Sequence, residues 1–403
     1  MNKENSIGIV NGKLITPFNV IEEGVVLIDG ERISAIGSKR EVKVPKKAEV
    51  IDASGKVVVP GFIDIHTHGG GGRSLMEGTY EAVDEISKFF AEHGTTGFLS
   101  TLLGLKEDML KAAKATKTAM DRGTKGAEVL GIHLEGPSFS PKKPGAADPR
   151  WLRRPDIREF DRIMRESNNA VKLVTIAPEL DGALEFIKHI TRRGVVASVG
   201  HSYATYDQVL KGIKAGISHA CHTYNAMRGL HHREPGVVGA VLSRDELTAE
   251  LIADGHHVSP PAMKILVRCK GIDKVILITD STRLAGMPEG EYTWMGQKVI
   301  VKGGMCVLPR PPVSGALAEK VTLAGSIATM NEDVKNMVEL VGVTLQEAIR
   351  MASVNPARRI GVYDRKGSLE VGKDADLAMV DDQLNVYMTM VRGRIVYERS
   401  SEK

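Results

Sequence analysis

The chain has 403 residues, of which 42% are hydrophobic and 26% charged, with a net charge of +4. That length exceeds one minimal domain and suits one large barrel with a small appendage, and the composition is ordinary for a globular protein. The slight positive surplus points weakly to anionic small substrates and gives no case for nucleic acid as a partner. No run approaches the roughly 20 apolar residues of a membrane span.

The three cysteines, Cys221, Cys269 and Cys306, are sparse and form no CxxC pair. Such a set fits a reducing compartment better than a disulfide framework. The opening MNKENSIGIV lacks the long apolar core of a signal peptide. A cytoplasmic location is the default expectation.

Residues 1–59 read as short strands. IGIVNGKLI, GVVLIDGERISAIG and VIDASGKVVVP alternate apolar residues with Asn-Gly, Asp-Gly and Ser-Gly turn signals. The C-terminal GSLEVGKDADLAMVD and YMTMVRGRIVYER look alike. This predicts a small β-sandwich domain built from 1–59 and 362–403, with residues 60–361 inserted between them.

The middle carries eight apolar strand-like runs: GFIDIH, TGFLST, VLGIHLE, VKLVTIA, VVASVGH, GISHACH, AELIAD and KVILITD. Amphipathic segments such as TYEAVDEISKFFAEHG and GALEFIKHITRRG separate several of them, the second closing on Arg-Arg-Gly, a helix stop. Eight βα units imply an α/β fold, a closed (β/α)8 TIM barrel. The irregular stretches are 136–155 and 305–321, both too long for plain connections.

Catalysis in such a barrel sits at the C-terminal strand ends, where ionisable residues recur. Run one ends in His66-Thr67-His68, run three in Glu135, run five in His201, run six in His222 and run eight in Asp280. Alternation along a strand points His66 and His68 the same way, so both reach one ion. Glu135 can bridge two ions, and His201 and His222 can hold the second. Four histidines with carboxylates suit zinc or iron rather than calcium or magnesium, one or two ions per subunit. A lone HxH, or a lone His or Glu at a strand end, is usually structural; five such residues at successive strand ends are not. Asp280 is the natural proton carrier beside a metal-activated water.

The other histidines have plainer expectations. His133 reads as a hydrogen-bonded core residue, His219 as facing the helices, and His93 and His189 as structural. Cys221 should point away from His222 as a core thiol. Gly69 to Gly72 form a side-chain-free loop for close substrate approach or an ordinary turn. Arg233 with His231, His232, His256 and His257 can neutralise a phosphate.

The ordered motifs PGFIDIHTHGGGG (60–72), HLEGP (133–137), GHSYAT (200–205), HTYNAM (222–227), REPG (233–236), ADGHH (253–257), TDS (279–281), LAGS (323–326), NPA (355–357) and GSLEVGKDADL (367–377) span nearly the whole chain. With them the chain resembles the amidohydrolase superfamily and, within it, the N-acetylglucosamine-6-phosphate deacetylases. The resemblance implies release of acetate from N-acetylglucosamine 6-phosphate. It implies a main metal site at Glu135, His201 and His222, a second at His66 and His68 that some members lose, and Asp280 as general base and acid. It further implies substrate contacts at Asn225, Ala226, Leu323, Ala324 and Gly325, with Arg233 and His257 holding the sugar phosphate. Related enzymes are dimers, with a phosphate contact able to cross the interface.

Two departures stand out. Family members carry a carbonyl-polarising histidine after HLEGP; here PKKPGAADP puts Gly145, Ala146 and Ala147 there. A second metal could replace that histidine as Lewis acid, or the pocket serves a different amide, such as N-acetylgalactosamine 6-phosphate. The other departure is the proline-rich MCVLPRPPVSGALAEKV (305–321) before LAGS. A carbamylated-lysine relative would need Lys at the end of run four, but Lys172 lies at its start. A nucleobase deaminase would share the HxH but not HLEGP or HTYNAM. A non-catalytic scaffold should have lost ligands, and none is lost.

Overall fold

The structure, a computed structural model, describes residues 6–16, 18–294, 297–308 and 322–400. All eight expected runs form strands of one parallel sheet: Phe62–Asp64, Thr95–Leu102, Glu128–Glu135, Val171–Ile176, Val196–Val199, Ile217–Ala220, Thr248–Leu251 and Val275–Leu277, each paired to the next. The first and last strands meet through backbone bonds beyond their ends. Asp280 N–H donates to the His66 carbonyl at 2.9 Å and His68 N–H to the Ser281 carbonyl at 2.8 Å. The sheet is therefore a closed barrel.

Alternation sorts the side chains. On the third strand Ile132 and Leu134 face outward into the core shared with the helices, among Phe98, Val174, Ile176 and Val199. Leu130 has the same parity yet faces inward, packing with Ile63, Leu99, Leu173, Ile276 and Ile278, because the register shifts between Val129 and Gly131. Ala357, Ile360 and Val362 plug this inner cluster from below. Each buried aliphatic side chain contributes roughly 1.5–3 kcal/mol. The lower barrel is thus filled, and only its upper end is open to polar chemistry.

The helices follow their sequence signals. Tyr80–Glu92 begins at Thr79, whose hydroxyl accepts the Ala82 N–H. Ala183–Thr191 ends just before Arg192-Arg193-Gly194, with Gly194 at φ +75°.

Both ends of the chain join one further eight-stranded sheet, in which Leu377–Val380 lies antiparallel to Val57–Pro60 and Val57–Pro60 parallel to Ser6–Ile15. The Asp-Gly at 29–30 makes a tight turn as expected, pairing Asp29 with Arg32. The Asn-Gly at 11–12 does not. Asn11, at φ +62°, sits at a register shift inside a continuous strand, because a bulge accepts the same left-handed residue as a turn.

The stretch beginning at Met305 is not wholly irregular. Gly290–Trp294, Gln297–Lys302, Met305–Leu308 and Thr322–Leu323 form a small antiparallel sheet over Leu284, Val299 and Ala324. The rest of the proline-rich segment, 309–321, lies outside the described residues.

Candidate metal centre and active site

Glu135 closes the third strand and is 3% exposed. Its Oε1 lies 2.9 Å from His201 Nε2, 3.1 Å from His222 Nε2 and 3.6 Å from His66 Nε2. Its Oε2 lies 3.1 Å from His68 Nε2. Asp280 approaches the same pair, Oδ1 being 3.5 Å from His66 Nε2 and 3.3 Å from His68 Nε2. The six strand-end residues expected to act together therefore converge, with Glu135 between the two histidine pairs.

The donor set fits a cation. His201 Nδ1 lies 3.0 Å from the Lys143 carbonyl. A carbonyl only accepts, so Nδ1 carries the proton and Nε2 presents a lone pair. That lone pair faces Glu135 Oε1, an acceptor facing an acceptor. His201 Nε2 and His222 Nε2 are also only 3.0 Å apart. Three ligand atoms at such spacings approach the corners of a coordination tetrahedron, about 3.3 Å apart for bonds of about 2.0 Å. His66 Nε2 is buried without a hydrogen-bond partner.

The electrostatics agree. Burial opposes ionisation of Glu135, but the His66 charge outweighs it and holds its carboxyl well below the usual range. Burial likewise disfavours protonated His68, yet bonds to Asp280 and Glu135 raise it to about 9. The two carboxylates demand positive charge, which protons or a metal ion can supply in competition.

Neighbouring chain segments shape the centre. Phe139 stacks on the His201 ring at 3.9 Å. Gly145, at φ +61°, lies so close that a Cβ there would come within 2.8 Å of His201 Cε1. The carboxylate of Glu179 accepts the Ser202 hydroxyl and the Tyr203 N–H, both at 2.7 Å. Four non-glycine residues at the mouth, His201, Tyr224, Ala226 and Asp280, have φ between +47° and +81°. Such strain costs about 1–3 kcal/mol per residue and clusters at functional sites.

Asn225 follows the sixth strand with its Nδ2 buried and unpartnered. Ala226, half-buried, accepts the Ser202 N–H at 3.1 Å. The Ser326 N–H donates to the Asp280 carbonyl at 3.2 Å, bringing Leu323, Ala324 and Gly325 to the strand-eight end. His257 gives its Nδ1 to Asp254 at 2.6 Å. Arg233 is exposed on a loop and meets His232 Nε2 at 2.7 Å. Contacts among the described residues do not join Arg233 to His257. Ala147, 8% exposed, packs with Leu103 and Phe139, and Ala146 beside it is half-buried.

Some expectations need correction. His219 does not face the helices: its Nε2 lies 3.0 Å from Glu250 Oε1 inside the barrel. Cys221 is also inside, its Sγ 3.6 Å from His66 Nδ1, within reach of Glu135 and His222. Ala220 is the outward residue, and the strand ends there. Alternation therefore puts His219 and Cys221 inward, while His222, beyond the ladder, is free to turn back toward them. Gly69 to Gly72 fit the turn reading: Gly69–Gly70 pair with Arg73–Ser74, and a Cβ at Gly70 would lie 2.3 Å from Phe89. His133 is the expected core residue, bonded to Thr175 Oγ1 at 2.8 Å. Glu250, 0% exposed and 2.9 Å from His66 Nδ1, escaped sequence reasoning. Its signal was a carboxylate inside the apolar run AELIAD.

A parallel barrel that gathers four histidines and two carboxylates at its strand ends defines a class, the metal-centred barrel hydrolases. The Amidohydrolase family matches residues 57–396. The chain is 40% identical over 388 residues to an N-acetylglucosamine-6-phosphate deacetylase from Bacillus subtilis, covering 95% of each chain. It is 39% identical over 352 residues to an N-acetylgalactosamine-6-phosphate deacetylase from Escherichia coli O157:H7, covering 87% of this chain and 90% of the relative. The crystal structure of N-acetylglucosamine-6-phosphate deacetylase from Pasteurella multocida superposes with a TM-score of 0.88 at 32% identity, covering 97% of this chain and 99% of that one. The chain belongs to the amidohydrolase family and, within it, to the N-acetylglucosamine-6-phosphate deacetylases. It is a hydrolytic enzyme.

Proposed function

We propose that this enzyme hydrolyses N-acetylglucosamine 6-phosphate to glucosamine 6-phosphate and acetate. The observation carrying this reading is the convergence of His66, His68, His201, His222 and Asp280 on Glu135, in a chain similar over nearly its full length to a deacetylase of that sugar. Glu135, His201 and His222 would hold one divalent ion; His66 and His68, with Glu135 and Asp280, would hold a second. Zinc and iron both match this nitrogen-rich set. When bound, such ions supply Lewis acidity that acidifies water and polarises the acetamide carbonyl.

The chain's own groups do the rest. Asp280 takes the proton of the attacking water and delivers it to the sugar nitrogen as the C–N bond breaks, so acetate and the amine leave. Its anionic state suits the first of these steps: in the metal-free protein burial opposes it, but the His66 charge and the His68 bond keep the carboxyl below its ordinary range, and bound ions would supply positive charge in their place. Asn225, Ala226 and Leu323 to Gly325 line the acetamide. His257, whose Nδ1 is tied to Asp254, has Nε2 left for the phosphate. The exposed Arg233 fits a phosphate contact made across a homodimer interface. A cytoplasmic location belongs to the same reading, and no described helix is long and apolar enough to cross a membrane. So does the division into 1–59 with 362–403 and 60–361, supported by the shared terminal sheet.

Acetate release from N-acetylhexosamine 6-phosphates and their unphosphorylated forms, with metal content measured on the same sample, tests the assignment. We expect turnover of the glucosamine derivative, loss on chelation and recovery with zinc or iron. Metal-replete protein inert toward every phosphorylated sugar would refute it. The galactosamine epimer is the second reading, favoured by the Escherichia coli relative and by Ala147 where a carbonyl-polarising histidine was expected; faster turnover of that epimer would establish it.

A further inference from the structure

Glu250 has no part in the proposed reaction, yet it is fully buried beside the centre. Its Oε2 lies 2.9 Å from His66 Nδ1 and accepts the His222 backbone N–H at 2.9 Å. Its Oε1 lies 3.0 Å from His219 Nε2. An ionised carboxylate only accepts, so all three neighbours are donors. His66 must then carry its proton on Nδ1. A ligating imidazole is neutral and has only that one, so in the state that binds a metal Nε2 presents a bare lone pair. That nitrogen is the buried, unpartnered atom aimed at Glu135 and Asp280. His219 is fixed in turn, with Thr248 Oγ1 2.6 Å from its Nδ1.

We propose that Glu250 is the positioning residue of the second cation site: it selects the His66 tautomer that can bind a divalent metal and, through the His222 N–H, holds the two histidine pairs in register. The inference rests on the ligand assignment of the proposed function. Removing a carboxylate that orients a ligating histidine weakens metal binding by about 10- to 100-fold. Glu250 serves two ligand segments at once, so its loss acts on the spacing of the centre as well as on His66.

The test is a Zn2+ titration of metal-stripped, full-length wild type, H66A, E250Q and E250L. It is paired with melting temperatures and 15N-imidazole NMR of His66 before zinc is added. Wild type takes two ions and H66A one. E250Q takes two, the weaker by about 10- to 100-fold, with the tight ion unchanged, and E250L takes one. The NMR reads a proton on His66 Nδ1 in wild type. A folded E250Q with an unaltered second dissociation constant, an E250L that still takes two ions, or a wild-type His66 with no proton on Nδ1 would overturn the inference. E250Q decides alone if E250L does not fold, since its amide preserves shape. A wild type taking one ion, with H66A no different, would overturn the ligand assignment itself.

Discussion

Glu128 and Glu135 begin and end the same barrel strand, and each anchors a buried charge cluster. Below, Lys366, 1% exposed, lies 2.7 Å from Glu128 and 3.2 Å from Asp374, and also bonds Asp376. Arg365 adds 2.7 Å to Glu128 and 2.6 Å to Asp374. Carboxylates there face permanent cations. Above, Glu135 and Asp280 face four imidazoles, whose nitrogens can offer lone pairs instead. A cluster that supplies its own counter-charge joins parts of the fold; one that presents acceptors to acceptors waits on a charge from outside. The contrast separates scaffold from site more sharply than burial does, since both clusters hold fully buried charges.

The largest expected effect falls at the mouth. D280N should lower the rate of acetate release by about 100- to 10,000-fold, the range for a lost proton-transfer group, with stability near wild type; a rate close to normal would remove Asp280 from the mechanism. At the lower cluster the pattern should reverse. K366M leaves buried carboxylates without their cation and should cost about 3–5 kcal/mol in denaturant unfolding, with zinc affinity unchanged. Lost metal binding at undiminished stability would erase the distinction between the clusters.

The smallest effect is in pH. Burial opposes ionisation of Glu128, but Arg365 and Lys366 lower its carboxyl from 4.5 to about 2. A depressed folded-state pKa contributes stability above the unfolded value and loses it as pH falls through the folded one. E128Q should therefore flatten the stability profile between about pH 4.5 and 2, and leave it parallel to wild type above that window. An unchanged acid slope would show that Glu128 is not held by its cations.

The upper cluster was legible in sequence because its members close apolar runs, and a barrel sends strand ends to one face. The eight strands were legible for the same periodic reason. What was lost lies where periodicity stops or never carried the information. His219 and Cys221 were misplaced because parity was counted from His222, which lies past the ladder's end at Ala220. Glu250 makes sense only beside His66 and His219, distant in sequence and joined by barrel closure. The small sheet from Gly290 onward was hidden because its last strand, Thr322–Leu323, is two residues long and separated in sequence from its partner.

The bond from Asp280 to the His66 carbonyl sets when this enzyme comes into being. Five of the six centre residues lie in the first 222 positions, yet their arrangement depends on the edge that only the eighth strand completes. A growing chain on the ribosome carries most of the chemistry long before it can use it. Competence must await the docking of the last strand against the first, so catalytic onset during synthesis is expected to follow ring closure rather than the appearance of any one of the first five residues.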